Sequence, residues 1–140
     1  MNDYYENNHQ NYFANTFQID SDSFLSPLTA YLSVGDSILD IGCGSGRDLL
    51  WGMQQGFEAT GFEQSPGLAN LARKHSHCKV IEGDFTRYDF SKLKFSALLF
   101  VGSLVHLSKE ELPVIIQSTC RALVPKGLIL ITMKEGDGLI

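Results

Sequence analysis

A chain of 140 residues, 44% of them apolar, has the length of one domain and enough apolar material for a packed core. A net charge of −5 and a pI near 5.2 argue against a broad nucleic-acid or anionic-membrane surface, and no apolar run reaches the roughly 18 residues of a membrane span. Three cysteines, with no C-x-x-C pair, fit a reducing cytoplasm and no structural zinc site, and the polar stretch Met1 to Gln10 does not read as a signal peptide.

Residues 1–20 are rich in Asn, Tyr and Phe and read as an arm with weak helical character. Its aromatics, Tyr4, Tyr5, Tyr12, Phe13 and Phe17, are dense for a disordered tail. Residues 22–32 read as a short helix with Phe24, Leu25, Leu28, Tyr31 and Leu32 on one face. After the turn Val34-Gly35-Asp36, strands and helices alternate. The first strand is Ser37–Ile41, and the first helix of the alternation is Arg47–Gln55, closed by Gly56. Glu58–Phe62 is the second strand. Ser65-Pro66 supplies an N-cap and a first-turn proline for a helix to about His75. Lys79–Glu82 is the third strand, and the unbroken apolar run Ala97–Val101 is a buried fourth. Ser108-Lys109-Glu110-Glu111 is a capping box, opening a helix with Leu112, Ile115, Ile116, Thr119 and Leu123 on one face. Pro125-Lys126-Gly127 is a turn before the fifth strand, Leu128–Met133. Such alternation predicts a parallel sheet covered on both faces, of order 3-2-1-4-5.

Between the first strand and its helix lies Asp40-Ile41-Gly42-Cys43-Gly44-Ser45-Gly46. A strand that ends on an acid and passes through alternate glycines into a helix N-terminus lets a ligand lie against bare backbone. A nicotinamide-type G-x-G-x-x-G loop would need glycine at position 47, where Arg47 stands. A Walker loop would need Lys followed by Ser or Thr, and neither is present. Arg47 is expected to pair with a nearby carboxylate, since a cation opposes the dipole at a helix start. Glu63 follows the second strand and can accept both hydroxyls of a ribose, which would serve NAD equally well. Glu82-Gly83-Asp84-Phe85 ends the third strand and offers an acceptor and an apolar face, or an Asx-type turn. After the fourth strand, Gly102 permits close approach to the backbone. His106 is either a general base for a substrate hydroxyl or a space-filling side chain near a helix N-terminus.

In order and approximate spacing these elements resemble class I S-adenosylmethionine-dependent methyltransferases, over residues 34–133. The resemblance implies an α/β fold, a three-layer Rossmann-like sandwich, with residues 1–33 as an aromatic arm and helix that could lid the pocket and residues 34–140 as the cofactor-binding domain. It implies S-adenosyl-L-methionine as cofactor and S-adenosyl-L-homocysteine as product. The residues it assigns to the cofactor are Tyr5, Asp40, Gly42, Cys43, Gly44, Gly46, Glu63, Gln64, Asp84, Phe85 and Gly102. Asp40 would lie beneath the amino-acid part near its ammonium group, Glu63 on the ribose, Asp84 on the adenine amino group and Phe85 on the ring. His106 is the candidate catalytic base. The loop after the fourth strand lacks the N-P-P-Y or D-P-P-Y of enzymes acting on exocyclic amines of bases. A small-molecule acceptor is therefore expected rather than nucleic acid, with no metal, no membrane and a cytoplasmic location.

The family's sheet normally carries two further strands, which Lys134 to Ile140 is too short to supply. The fifth strand is then an apolar edge. The expectation is a homodimer through that edge, or a piece truncated from a longer protein. The same departure motivates an alternative, a cofactor-binding but inactive domain acting through a partner. A NAD-dependent oxidoreductase is a further alternative, disfavoured by Arg47.

Overall fold

In the computed structural model, which describes residues 21–132, five strands form one sheet: β1 (Ser37–Ile41), β2 (Glu58–Glu63), β3 (Lys79–Glu82), β4 (Phe95–Val101) and β5 (Leu123–Thr132). All neighbouring pairs are parallel and the order is β3-β2-β1-β4-β5, as expected. β1 is central, so Asp40 stands in register between Gly61 on β2 and Leu99 on β4. The helices are α1 (Asp22–Leu25), α2 (Arg47–Gln54), α3 (Pro66–Ser76) and α4 (Glu111–Thr119). 3₁₀ turns cover Ser26–Ala30, Phe90–Lys92 and Cys120–Ala122.

Strand alternation sends side chains to two apolar layers. Leu39, Ile41, Leu98 and Phe100 pack with Phe62, Phe90 and Ile115 on one face. Ile38, Ala97 and Leu99 pack with Leu25, Leu28 and Trp51 on the other. Both layers are fully buried, which is why the central strands carry continuous apolar runs instead of alternating ones. The three-layer arrangement of a Rossmann-like sandwich follows, with the ends of β1, β2 and β4 converging where the glycine loop leaves the sheet.

The local signals that stop and start elements act as anticipated at most ends. Ser65 Oγ accepts the Leu68 N–H at 3.3 Å. Ser108 and Glu111 form the reciprocal box, Ser108 N–H to Glu111 Oε1 at 2.8 Å and Glu111 N–H to Ser108 Oγ at 3.1 Å. Three expectations are corrected. The helix over 22–32 is two pieces, because Pro27 has no N–H to donate and the chain tightens into a 3₁₀ turn. With three residues per turn instead of 3.6, Tyr31 leaves the apolar face and is 74% exposed. Leu123 is not on the last helix; it opens β5 opposite Phe95. Pro125-Lys126-Gly127 is not a turn before the strand but a bulge within it, with Lys126 at φ +67°. Register passes from Phe95↔Leu123 to Ala97↔Leu128, so the bulge absorbs the extra residues on β5. Met133, the expected last residue of that strand, lies outside the described residues.

Candidate functional site

The amides of the glycine loop decide its shape. Gly42 and Cys43 N–H groups both donate to the Phe62 carbonyl at the end of β2, at 2.7 and 3.1 Å. The Gly44 N–H donates to Glu63 Oε1 at 2.7 Å, and the Ser65 N–H donates to Glu63 Oε2 at 3.0 Å. Glu63 is therefore buried and clamped between the loop and the N-cap of α3. A carboxylate has about four lone-pair sites, and the two amides fix its plane towards the crevice that it lines.

That crevice, of about 180 Å³, lies at the carboxyl ends of the strands. Of the residues singled out in the sequence, it brings together Gly42, Gly44, Glu63, Gln64, Phe85, Gly102 and His106. Others are placed elsewhere. Cys43 points its thiol into the packing of Leu49, Ala69, Ala72 and Val80, and burial together with Asp40 pushes that thiol up. Gly46 packs against α3 at Ala72. Asp84 is outside the lining: its Oδ1 accepts the Thr86 N–H at 2.9 Å and the Thr86 hydroxyl at 2.6 Å, the Asx-type turn. His106 is exposed at the rim, in a turn and not at the start of a helix. Tyr5 and the other aromatics of the arm lie outside the described residues.

Residues the sequence did not single out complete the walls. Leu68, Gly83, Ser103 and Leu107 all line the crevice. Leu68 was legible as the position three after the Ser65 cap, on the turn that faces the loop. Ser103 and Leu107 sit in a turn with no periodicity and carried no signal. Beside the crevice, and sharing Gly42, Gly44 and Val101 with it, is a polar cavity of about 50 Å³ that Arg47 and Asp48 also line. Arg47 makes the expected pair: its Nε donates to Asp48 Oδ1 at 3.0 Å, and its guanidinium sits 5.2 Å from the centre of the Phe24 ring. Asp48 also accepts the Ser21 hydroxyl at 2.6 Å, tying the segment before α1 to the first turn of α2. Among the described residues there is no group of His, Cys, Asp and Glu side chains fit to hold a metal.

Asp40 is the unusual member. It is 0% exposed, and neither carboxyl oxygen has a hydrogen-bond partner. The loop amides that could have satisfied it go to Phe62 and Glu63 instead. Burial, and then the Asp48 charge, push the Asp40 carboxyl well above the usual carboxylate range, and Arg47 offsets this only in part. The folded state thus holds a proton that the unfolded chain releases above about pH 4. The stability this provides is complete below that point and is lost as pH rises towards the folded value. Asp40→Asn is expected to match the wild type near pH 4 and to exceed it increasingly above, by up to about 1.4 kcal/mol per pH unit until the curve levels. Urea denaturation across pH measures this, and a pH-independent offset between the two proteins would contradict it.

A family model described as "Methyltransferase domain" matches residues 38–127. No curated protein matches the chain. Among solved structures, a protein of Pyrococcus horikoshii OT3 is 27% identical with a TM-score of 0.72, over 84% of this chain and 55% of that one. A TehB-like SAM-dependent methyltransferase of Corynebacterium glutamicum is 23% identical with a TM-score of 0.77, over 99% and 76%. A sugar N-methyltransferase of a Streptoalloteichus species is 22% identical with a TM-score of 0.74, over 91% and 52%. The chain thus spans little more than half the length of the first and third of these.

Proposed function

The chain belongs to the methyltransferase-domain family, and from that premise we propose that it transfers a methyl group from S-adenosylmethionine to a small-molecule acceptor. The observation that carries this reading is the crevice at the strand ends, where the clamped Glu63 carboxylate faces a loop of bare backbone. Asp40 and Ser103 give a test of fit. The Asp40 carboxyl, two positions before Gly42, and the Ser103 hydroxyl, whose Cβ lies against Gly42, are buried atoms without partners, which suits the charged amino-acid end of that cofactor.

The division of labour follows from the residues. Glu63 accepts the ribose hydroxyls. Leu68, Phe85 and Leu107 form the apolar slot for the adenine and keep water out. Gly42 and Gly44 let the cofactor approach the main chain. When bound, the cofactor supplies a methyl group on a sulfonium, open to in-line displacement by a nucleophile. The protein's task is alignment and exclusion of water, which is why no triad of catalytic side chains is needed. His106, at the rim, takes the proton of a hydroxyl acceptor, should the acceptor be one.

Isothermal titration with S-adenosylhomocysteine and with NAD is expected to show binding of the first and none of the second; NAD binding alone would overturn the assignment. A sugar and a glycopeptide N-methyltransferase are among the similar structures, so turnover is best sought first with amino sugars. Turnover with any acceptor separates an enzyme from an inactive binder.

The three cysteines are free, which supports a reducing, cytoplasmic setting. We also propose a homodimer through β5, the outermost strand on its side among the described residues, where Ile129 is 37% and Ile131 45% exposed. Size-exclusion chromatography with light scattering should give twice the 15.5 kDa chain mass; a clean monomer at high concentration would remove the proposal.

A further inference from the structure

The end of the crevice that suits a base is built where β3 stops, and Gly83 and Phe85 form its wall. Two carboxylates flank Gly83, and both are held by other partners. Glu82 Oε2 meets Arg73 Nη1 at 2.8 Å, and Arg73 Nη2 donates to the Val80 carbonyl at 2.8 Å. Asp84 Oδ1 accepts the Thr86 N–H at 2.9 Å and the Thr86 hydroxyl at 2.6 Å. Neither acid lines the crevice. Turning Asp84 inward would give up both Thr86 bonds, which are of the stronger, charge-assisted kind. The Gly83 N–H is also taken, by the Glu63 carbonyl at 3.1 Å.

The polar side chains that do line the crevice lie elsewhere or impose no choice. Glu63 is clamped at the end of β2. Ser103 follows β4, which stands three strands from β3, roughly 14 Å at the usual strand spacing. Gln64 and His106 are exposed at the rim. A carboxamide presents either an oxygen or an NH₂, and a neutral imidazole has one donor and one acceptor. Neither compels its partner to be an amine. What closes on the base is apolar: Leu68, Phe85 and Leu107, with the Phe62 ring against Gly83, its Cζ 3.1 Å from where a Gly83 Cβ would stand. Among the described residues, no lining side chain at this end is fixed as an acceptor.

We propose that the crevice does not read the amino group of the purine: stacking and shape hold the base, and a nucleoside with hydrogen at that position binds as the 6-amino one does. This rests on the reading of the crevice as the S-adenosylmethionine site, and it departs from the role that the resemblance assigns to Asp84. A site that hydrogen-bonds a polar group rejects the analogue lacking it, because the site's own buried groups are then left unpaired. Here the removal of the amine orphans no side chain, since both neighbouring acids keep the partners they have. Stacking on an aromatic ring tolerates any base, because every base has a π-face. Glu63 on the ribose and Phe85 on the ring then carry recognition, and the class of ligand is a purine nucleoside thioether, not an adenosine thioether alone.

The test is calorimetric titration of the whole chain with S-adenosylhomocysteine and with its analogue carrying hydrogen in place of the 6-amino group. The two are expected to bind within about threefold of each other, whereas a hydrogen bond from the amine to a carboxylate would separate them by about tenfold or more. Asp84→Ala, with its folding checked by a thermal melt, should keep that ratio even where loss of the Thr86 bonds lowers its stability. Phe85→Ala should weaken both ligands alike, by about fivefold or more. A wild-type preference for S-adenosylhomocysteine of about tenfold or more overturns the proposal. If Asp84→Ala abolishes that preference, the role returns to Asp84; if it does not, another group reads the amine. Unchanged affinity in folded Phe85→Ala overturns the stacking. No binding of either ligand instead overturns the site reading beneath it.

Discussion

Glu63→Ala is expected to weaken S-adenosylhomocysteine binding by at least about a hundredfold. A hydrogen bond to a charged group contributes about 1.5–3 kcal/mol, and in the proposed site Glu63 accepts two from a ribose. Losing both removes about 3–6 kcal/mol, and each 1.4 kcal/mol is a factor of ten in affinity. The same change damages the fold locally. It strips the partners from the Gly44 and Ser65 N–H groups, and a buried donor left unpaired costs about 1–3 kcal/mol. Glu63→Gln separates the two effects. It keeps the volume but presents one oxygen and one NH₂, so one of the two clamping amides must face a donor. Calorimetric titration together with a thermal melt of each variant reads the result. Unchanged affinity in Glu63→Ala would remove Glu63 from the binding site. Intact affinity in Glu63→Gln, where the charge is gone and one clamping amide has lost its acceptor, would show that neither the clamp nor a charge-assisted contact to the ribose sets the affinity.

The same residue shows what was legible in the sequence. An acid at the end of a parallel strand, in step with a glycine loop on the neighbouring strand, is a local pattern, and the structure places both on one crevice. Its clamp was not legible, because that depends on where loop amides point in three dimensions. Asp84 illustrates the opposite case. The residue type suited the role, but Thr86 two positions on takes Oδ1 twice, and Asp-x-Thr is itself a readable turn signal. Asp40 was readable as a strand-end acid but not as an orphan, since its isolation follows from the Phe62 carbonyl taking the Gly42 and Cys43 amides. On the fold side, the bounds of β1 and β3 and both caps came from local chemistry. The bulge in β5 did not, since Pro-Lys-Gly has the same local signature in a turn and in a bulge. Only the pairing of β4 on either side tells them apart.

Gly46→Ala is expected to destabilise the protein by about 2–5 kcal/mol, a large part of the roughly 5–15 kcal/mol of a typical domain. Gly46 is the N-cap of α2 at φ +97°, where a side chain costs about 1–2 kcal/mol. A Cβ there would also stand 2.9 Å from the Ala72 Cα and 3.1 Å from the Ala72 carbonyl oxygen. Those are backbone atoms in the interior of α3, fully buried, and they cannot rotate aside. Forcing extra carbon into such packing costs typically a further 1–3 kcal/mol. Relief requires α2 and α3 to separate, which moves Arg47 and Asp48 at one end and the Ser65 cap that steadies Glu63 at the other. Gly102→Ala is the internal control. It has φ +72° but nothing within 4 Å of the added carbon, so it should lose only the conformational part. Urea denaturation of the two variants beside the wild type gives the comparison. Equal losses would mean that the approach of the glycine loop to α3 is not what holds the loop in place; a loss in Gly46→Ala at least about 1 kcal/mol larger would mean that it is, and that the bare backbone facing the ligand is set by helix packing behind it.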